Sequence, residues 1–215
     1  MGNAQGSEEG RLAEEEKTLE LGAVSPEGVY TAFQSFLTAN SMQDSDFQRF
    51  IETNHISMGS HIEFFNALKA SVHHYKPKLA LMTLTLYSSA APEVKAGVIY
   101  AAYCEDGLAN AEKLRKLVYN MIDVSVNVSR RLFSSDSKIR DYTQNLRKGR
   151  ELLLSSFTTD LGELPASRET FVRVMTSAQH KSLLSPAGVR RRLQELISAN
   201  TSRLKNMPFI PAAAG

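Results

Sequence analysis

Helical spacing recurs along almost the whole chain and constrains the fold more than any other feature of the sequence. Apolar residues repeat every three or four positions, which places them on one face of an α-helix. Two segments, "SPEGVYTAFQSFL" from Ser25 and "SPAGVRRRLQELI" from Ser185, begin with a serine cap followed by proline, and Pro77 and Pro92 open two more. Because no convincing strand pattern is present, the sequence predicts an all-α fold with about nine or ten helices.

Two longer helices are expected in the middle of the chain. They run from Glu112 to about Phe133 and from Asp136 to about Phe157, and they are separated at "SSDS". A further helix is expected from Ser167, where a serine again precedes a helical pattern.

The chain is long enough for one core or for two small lobes of roughly 80 to 100 residues each. We expect a polar arm with an acidic helix over residues 1–22, lobes over 23–90 and 91–178, and a basic helix with a Pro/Ala tail over 179–215. The tail, "PFIPAAAG", is too rich in proline for regular structure. It is expected to be disordered or to fill the protein's own groove.

Composition limits the compartment and the chemistry. A hydrophobic fraction of 42% and a charged fraction of 22% are ordinary for a soluble globular protein. The single cysteine, Cys104, excludes a disulfide framework and thiolate zinc sites, and indicates a reducing compartment. The N-terminus has no apolar signal core and no apolar run is long enough to span a bilayer, so a cytoplasmic location is expected.

Charge is unevenly distributed, although the formal net charge is only +2. Residues 130–215 hold 15 Lys and Arg against 7 Asp and Glu, whereas the preceding residues hold 10 against 16. This imbalance fits two lobes with different partners, two lobes that attract each other, or solvated helix faces of unequal charge.

The segment "YCEDGLANAEKL" has the second half of a calcium-binding helix–loop–helix without the first. Leu108 fits the apolar position of such a loop, and Glu112 fits its last ligand. Only four residues separate Tyr103 from Leu108, so there is no room for the earlier ligands. Glu105, Asp106 and Glu112 are the only candidate metal ligands here, and calcium is not expected to bind.

A longer segment around this loop carries a resemblance to a known family. "KLALMTLTLYSSAAPEVKAGVIYAAYCEDGLANAEKLRKLVYNMI" resembles the third helix–loop–helix of the calcineurin-B-like and neuronal-calcium-sensor group of EF-hand proteins. The likeness covers about 45 residues well and extends weakly over residues 25–176, with one shortened loop and three loops that lack a ligand set. The chain also resembles the helical N-terminal region that precedes the TLDc domain in some myristoylated proteins.

This resemblance implies paired helix–loop–helix units in two lobes and an apolar groove that binds the amphipathic helix of a partner protein. The aromatic, leucine and methionine side chains at helix-pairing positions are candidates for the groove, and they are equally consistent with a plain core. They are Phe33, Phe36, Phe64, Phe65, Leu81, Met82, Tyr100, Leu117, Met121 and Phe171.

The N-terminal "MGNAQGS" begins with the Met-Gly that is found in N-myristoylated proteins. Removal of Met1 would free the amine of Gly2 for acylation, although Gly6 stands where Ser or Thr is usual. A single myristoyl chain anchors only marginally, so stable membrane contact would need a second signal.

Basic residues cluster in two helical segments of the back half. Arg147, Lys148, Arg150, Arg190, Arg191 and Arg192 form the predicted basic surface. An acidic protein surface, such as a tubulin-like face, or an anionic lipid would match this charge, and so would simple solubilisation of the helices. Nucleic acid is not expected, because neither interleaved aromatic residues nor a reading helix is present.

No catalytic motif or phosphate-binding loop is present, so neither an enzyme, a small-molecule substrate nor a cofactor other than covalent myristate is expected. The sequence favours a non-catalytic scaffolding module with degenerate EF-hands, cytoplasmic and associated with membrane or cytoskeleton. The alternatives are a calcium sensor with a non-standard site and a structural component of a cytoskeletal assembly.

Overall fold

A computed structural model describes residues 7–104 and 107–205, with residues 203–205 described for the backbone only. These residues form eleven α-helical segments and three short strands. The helices are α1 Glu8–Lys17, α2 Pro26–Ala39, α3 Asp44–Thr53, α4 Ile62–Asn66, α5 Pro77–Tyr87, α6 Pro92–Tyr103, α7 Ala111–Ile122, α8 Ser137–Leu146, α9 Arg150–Leu161, α10 Arg168–Thr176 and α11 Pro186–Lys205. The strands are β1 Met42–Gln43, β2 Lys69–Ser71 and β3 His74–Tyr75.

The all-α fold of about ten helices is confirmed. The expectation of no strands needs a correction, because β3 pairs antiparallel with β1 on one side and β2 on the other. Each strand has two or three residues. Strands this short do not contain enough residues for a period-two pattern to be detected.

The predicted helix starts are confirmed by the capping hydrogen bonds and by the first residues of the helices. Ser25 and Ser185 each accept a hydrogen bond from the backbone N–H three residues later, at 3.2 and 3.3 Å. Pro77 and Pro92 are the first residues of α5 and α6. Ser167 caps α10 in the same way as the first two serines. Local chemistry therefore fixes the start of these helices.

The helical run that begins in the "YCEDGLANAEKL" segment changes its helix type twice. After α7, residues Asp123–Val128 form a π-helix and Ser129–Phe133 a 3₁₀-helix. The Ser129 hydroxyl donates to the carbonyl oxygen of Val124, five residues earlier, at 3.0 Å. A second run passes from α8 through a 3₁₀ turn over Arg147–Gly149 into α9. The predicted break between the two runs lies at residues 134–136.

Helix–loop–helix units pair through their loops in both halves of the chain. In the first half, the loop between α2 and α3 contributes β1, and the segment between α4 and α5 contributes β2 and β3. In the second half, Ala109 before α7 pairs antiparallel with Ala166 before α10, with N···O distances of 2.9 and 3.0 Å. The result is two pairs of units, one in each half.

The loop contact in the second half is shifted by one residue from the expected position. Leu108, predicted to occupy the apolar position of the loop, is 46% exposed, whereas Ala109 is fully buried. The hydroxyl oxygen of Tyr100 lies 2.6 Å from the carbonyl oxygen of Gly107 and 3.1 Å from that of Ala166, so its single hydrogen is shared between the two acceptors. These bonds hold the shortened loop against its neighbour and set the register.

A single cluster of buried apolar residues runs through both halves. The expected boundary at residue 90 falls in the connection between α5 and α6, and these two helices pack against each other. Both also contact α2, so the first half contributes side chains to the same core as the second half.

Candidate functional site: a basic cleft between the two halves

A cleft of about 760 Å³ lies between the first and second halves of the chain. We call it the basic cleft. From the first half it is lined by Asn40, Ala70, Lys76, Lys78 and Leu79, and from the second half by Tyr103, Lys113, Lys116, Tyr119, Asn120, Asp123 and Arg150.

Positive charge dominates the described lining of the basic cleft. Five side chains are cationic, whereas Asp123 is the one carboxylate among the described lining residues. The lysines of the first half lie at the start of α5, and those of the second half lie one turn apart on α7. Charges of one sign in a concave surface focus the field, so the cleft is arranged to attract anionic groups.

Aromatic rings support some of the cations. The guanidinium carbon of Arg150 lies 3.2 Å from the ring centroid of Tyr119, and the Lys78 amine lies 5.7 Å from that of Tyr103. The Tyr103 hydroxyl accepts a hydrogen bond from the Asn120 amide at 2.5 Å, and burial raises the pKa of Tyr103. These contacts restrict the positions of the charged groups at the cleft.

A second cavity, of about 460 Å³, adjoins the basic cleft and shares Tyr119, Asn120, Asp123 and Arg150 with it. Arg147 lines this extension and donates to the side-chain oxygen of Asn127, with a distance of 2.8 Å from Nε. Two predicted basic residues, Arg147 and Arg150, are therefore brought to one site.

The other residues of the predicted basic surface do not line the cleft or its extension. Lys148 and Arg191 are exposed and Arg192 is half-buried, but none of them lines the cleft. The assignment of Arg190 to the surface is wrong, because its side chain is fully buried. Its charge is neutralised inside the protein, so it is not available to a partner.

Arg190 on α11 is held by two carboxylates of α1. Its Nε lies 2.6 Å from the Glu9 carboxylate, and its Nη1 lies 2.6 Å from the Glu16 carboxylate. Nη1 also donates to the carbonyl oxygen of Ser125 in the π-helix, at 2.9 Å. Burial alone would lower the pKa of Arg190, but the Glu16 and Glu9 carboxylates outweigh burial and raise it. The acidic front and basic back of the chain attract each other at this point.

The candidate groove residues need a larger correction. Nine of the ten are buried in the core, and Phe36 is half-buried. They pack against one another and against core neighbours: the ring centroids of Tyr100 and Phe171 are 5.3 Å apart, and those of Phe33 and Phe50 are 4.9 Å apart. Phe33 and Phe36 also border a small cavity of about 330 Å³ between α2 and α3. The remaining candidates fill the interior instead of lining an open groove.

In the described part of the calcium-like loop, the candidate ligand Glu112 contacts a lysine. Glu112 is exposed and pairs with Lys116 one turn later, at 2.7 Å, and this hydrogen bond lowers the pKa of Glu112. Across residues 7–104 and 107–205 no three His, Cys, Asp or Glu side chains are grouped as metal ligands. Glu105 and Asp106 lie outside the described residues, as does Gly2.

Sequence reasoning missed four of the five cleft cations. Lys113 and Lys116 are three residues apart in "AEKLRKLVYNMI", a spacing that places two cations on one helix face, so they were detectable. Lys76 and Lys78 come from the acidic front half, and only the tertiary packing brings them to the same cleft.

Comparisons of the chain with protein-family models, curated proteins and solved structures found no match. None of the helices within the described residues has the length and apolar character needed to cross a membrane.

Proposed function

We propose that the protein is a non-catalytic binding module whose basic cleft binds an acidic segment of a partner protein. The observation that carries this proposal is the convergence of Lys76, Lys78, Lys113, Lys116 and Arg150 on one concave surface. The described carboxylates beside these cations are Asp123 in the lining and Glu112, which pairs with Lys116. The partner segment would present Asp or Glu side chains, for example along the polar face of an amphipathic helix.

Electrostatic attraction of an acidic segment fits the cleft better than burial of the apolar face of a partner helix. The side chains that would form an apolar groove already fill the core. Opening them to a partner would expose apolar area at a cost of about 25 cal/mol per Å². Lys76 and Lys116 are exposed, so partner carboxylates can approach them without any rearrangement of the core, in competition with Glu112 at Lys116.

Neutralising two cleft cations is expected to weaken binding of a fluorescent oligoglutamate peptide by about tenfold, since charge pairs at an interface contribute both to encounter and to affinity. The variant is Lys116→Gln with Arg150→Gln, and the measurement is fluorescence anisotropy at physiological ionic strength. Binding to the unaltered chain should also weaken as salt is raised, because exposed charges are screened.

The matched control replaces two exposed cations outside the cleft, Lys181→Gln with Arg191→Gln, so that the net charge changes equally. This control should bind the peptide like the unaltered chain. Equal losses in the two variants would mean that binding follows net charge alone, and the cleft would lose its role. Tighter binding of duplex DNA than of the peptide would contradict the assignment to a protein partner.

A calcium sensor is the second candidate, and we expect it to fail. Calorimetric titration of the chelator-stripped chain with calcium should give no binding heat, because Glu112 is turned towards Lys116 and calcium sites need several converging oxygen ligands. Heat that disappears in Glu112→Gln would establish the shortened loop as a working site and would replace our interpretation.

We further propose an evolutionary relation to EF-hand proteins, myristoylation of Gly2, and a cytoplasmic scaffold associated with membrane or cytoskeleton. The pairing of helix–loop–helix units through Ala109 and Ala166 supports the first of these. The N-terminal "MGNAQGS" supports the second. The association with membrane or cytoskeleton follows from these two proposals, because an acyl chain and a protein contact together provide two anchoring signals.

A further inference from the structure

Lys95, on α6, is a buried cation that has no carboxylate partner among the described residues. Its side chain is 7% exposed, and its amine donates to the backbone carbonyl oxygens of Leu86, at 3.2 Å, and Leu184, at 3.1 Å. Within the described residues no Asp or Glu lies within ion-pair distance of this amine. Burial lowers the pKa of Lys95 to about 8.

Arg190 provides the contrast inside the same molecule. That cation is also buried, and two carboxylates neutralise it. Buried charges are normally paired, because removing an ion from water is costly. An ammonium group has three N–H donors, and Lys95 uses two of them on neutral carbonyl groups. One donor and the whole countercharge remain to be supplied.

A cavity of about 620 Å³ borders Lys95 and shares no lining residue with the basic cleft. It lies between the end of α1, the end of α5 and the start of α11. Apolar side chains make up much of its wall: Ala13, Leu21, Ala23, Leu86, Pro186 and Ala187. The hydroxyl-bearing residues Ser88, Ser89 and Ser185 also line it.

The other charged residues on this wall are already engaged or lie in solvent. Both carboxylate oxygens of Glu16 contact Arg190, and one of them also accepts from the Tyr87 hydroxyl. Lys17 pairs with Glu14 at 2.7 Å. Glu20 is exposed. Lys95 is therefore a buried cation of this cavity for which residues 7–104 and 107–205 supply no countercharge.

We propose that this cavity binds a carboxylate attached to an apolar chain, with the carboxylate paired to the Lys95 amine and the chain against the apolar wall. The free ligand would be a short alkanoate, and the carboxyl terminus of an apolar peptide offers the same chemistry. Pairing would supply the missing countercharge and use the remaining N–H donor of Lys95. This site does not depend on the function proposed for the basic cleft.

Octanoate is the first probe, and titration calorimetry at pH 8 is the measurement. Binding should be accompanied by uptake of about half a proton, because a group with a pKa of about 8 is half-protonated at that pH and the ligand's charge favours the ammonium form. Titrations in two buffers with different ionisation enthalpies measure this uptake. A merely structural lysine would give no proton uptake on ligand addition.

Lys95→Met should weaken octanoate binding at least tenfold and abolish the proton uptake. Lys148→Met is the control, since Lys148 is exposed and lies outside the lining of this cavity, and it should leave both unchanged. Octanol and acetate test the two parts of the ligand separately, and both should bind much more weakly than octanoate. N-acetyl-leucyl-leucine, compared with its C-terminal amide, distinguishes a peptide terminus from a free alkanoate.

Several outcomes would overturn the proposal. Octanol binding as tightly as octanoate would reduce the cavity to an apolar pocket without a role for Lys95. Unchanged affinity in Lys95→Met would do the same. If Lys95→Met unfolds, absence of proton uptake in the unaltered protein is by itself sufficient to reject the site.

Discussion

Replacing Arg190 with methionine is expected to lower the free energy of unfolding by about 3–5 kcal/mol, the usual cost of removing one partner from a buried ion pair. The change leaves the carboxylate of Glu16 buried without its cation, and it removes the donors to Glu9 and to the Ser125 carbonyl group. Urea unfolding followed by circular dichroism measures the difference.

Arg191→Met is the control for this experiment. Arg191 is the next residue on α11 and is exposed, so its replacement should change stability by no more than about 0.5 kcal/mol. Adding Glu9→Gln and Glu16→Gln to Arg190→Met should recover part of the loss, because the uncompensated carboxylates are then neutral. Equal stability of the Arg190 and Arg191 variants would show that the buried cluster contributes little.

Gly188→Ala is expected to destabilise the protein by about 3 kcal/mol or more, at the upper end of overpacking costs. A Cβ atom at this position would lie 1.8 Å from the backbone carbonyl oxygen of Ser182. That oxygen belongs to the 3₁₀ turn before α11, so relief of the clash would require the backbone of the turn or of the helix to move. Thermal and urea unfolding both report the effect.

Gly28→Ala tests the same chemical change without the clash. Gly28 occupies the equivalent place in the first "SP-x-G" helix start, and its added Cβ would meet Ser25 at an ordinary 3.5 Å. Alanine should stabilise α2 here by about 0.5–1 kcal/mol, as expected from helix propensity. If both alanine variants were stabilising, the close approach of α11 to the Ser182 turn would be wrong.

Helix identity and helix starts were predictable because the signals are local. A capping serine followed by proline determines where α2 and α11 begin, whatever the rest of the chain does. Strands β1 to β3 were missed because they hold two or three residues each, and their pairing depends on loops distant in sequence.

Side-chain environment was predicted less well because it is decided by tertiary packing. Arg190, Arg191 and Arg192 are consecutive in sequence, yet they are buried, exposed and half-buried. The helical period indicates that they point in different directions, but only the position of α1 determines that Arg190 meets two carboxylates. The same limit applies to the basic cleft, where lysines at the start of α5 join those of α7.

The contact between α1 and α11 has a consequence for how the chain matures during synthesis. Glu9 and Arg190 are separated by 181 positions, so the acidic helix leaves the ribosome long before its cation has been translated. Chains are synthesised from the N-terminus at about 5–20 residues per second, and α1 waits for many seconds with Glu9 and Glu16 hydrated. The ion pairs between α1 and Arg190 are therefore the last contacts of this kind that α1 can form, and a nascent chain that stops before α11 lacks the cation that neutralises those carboxylates.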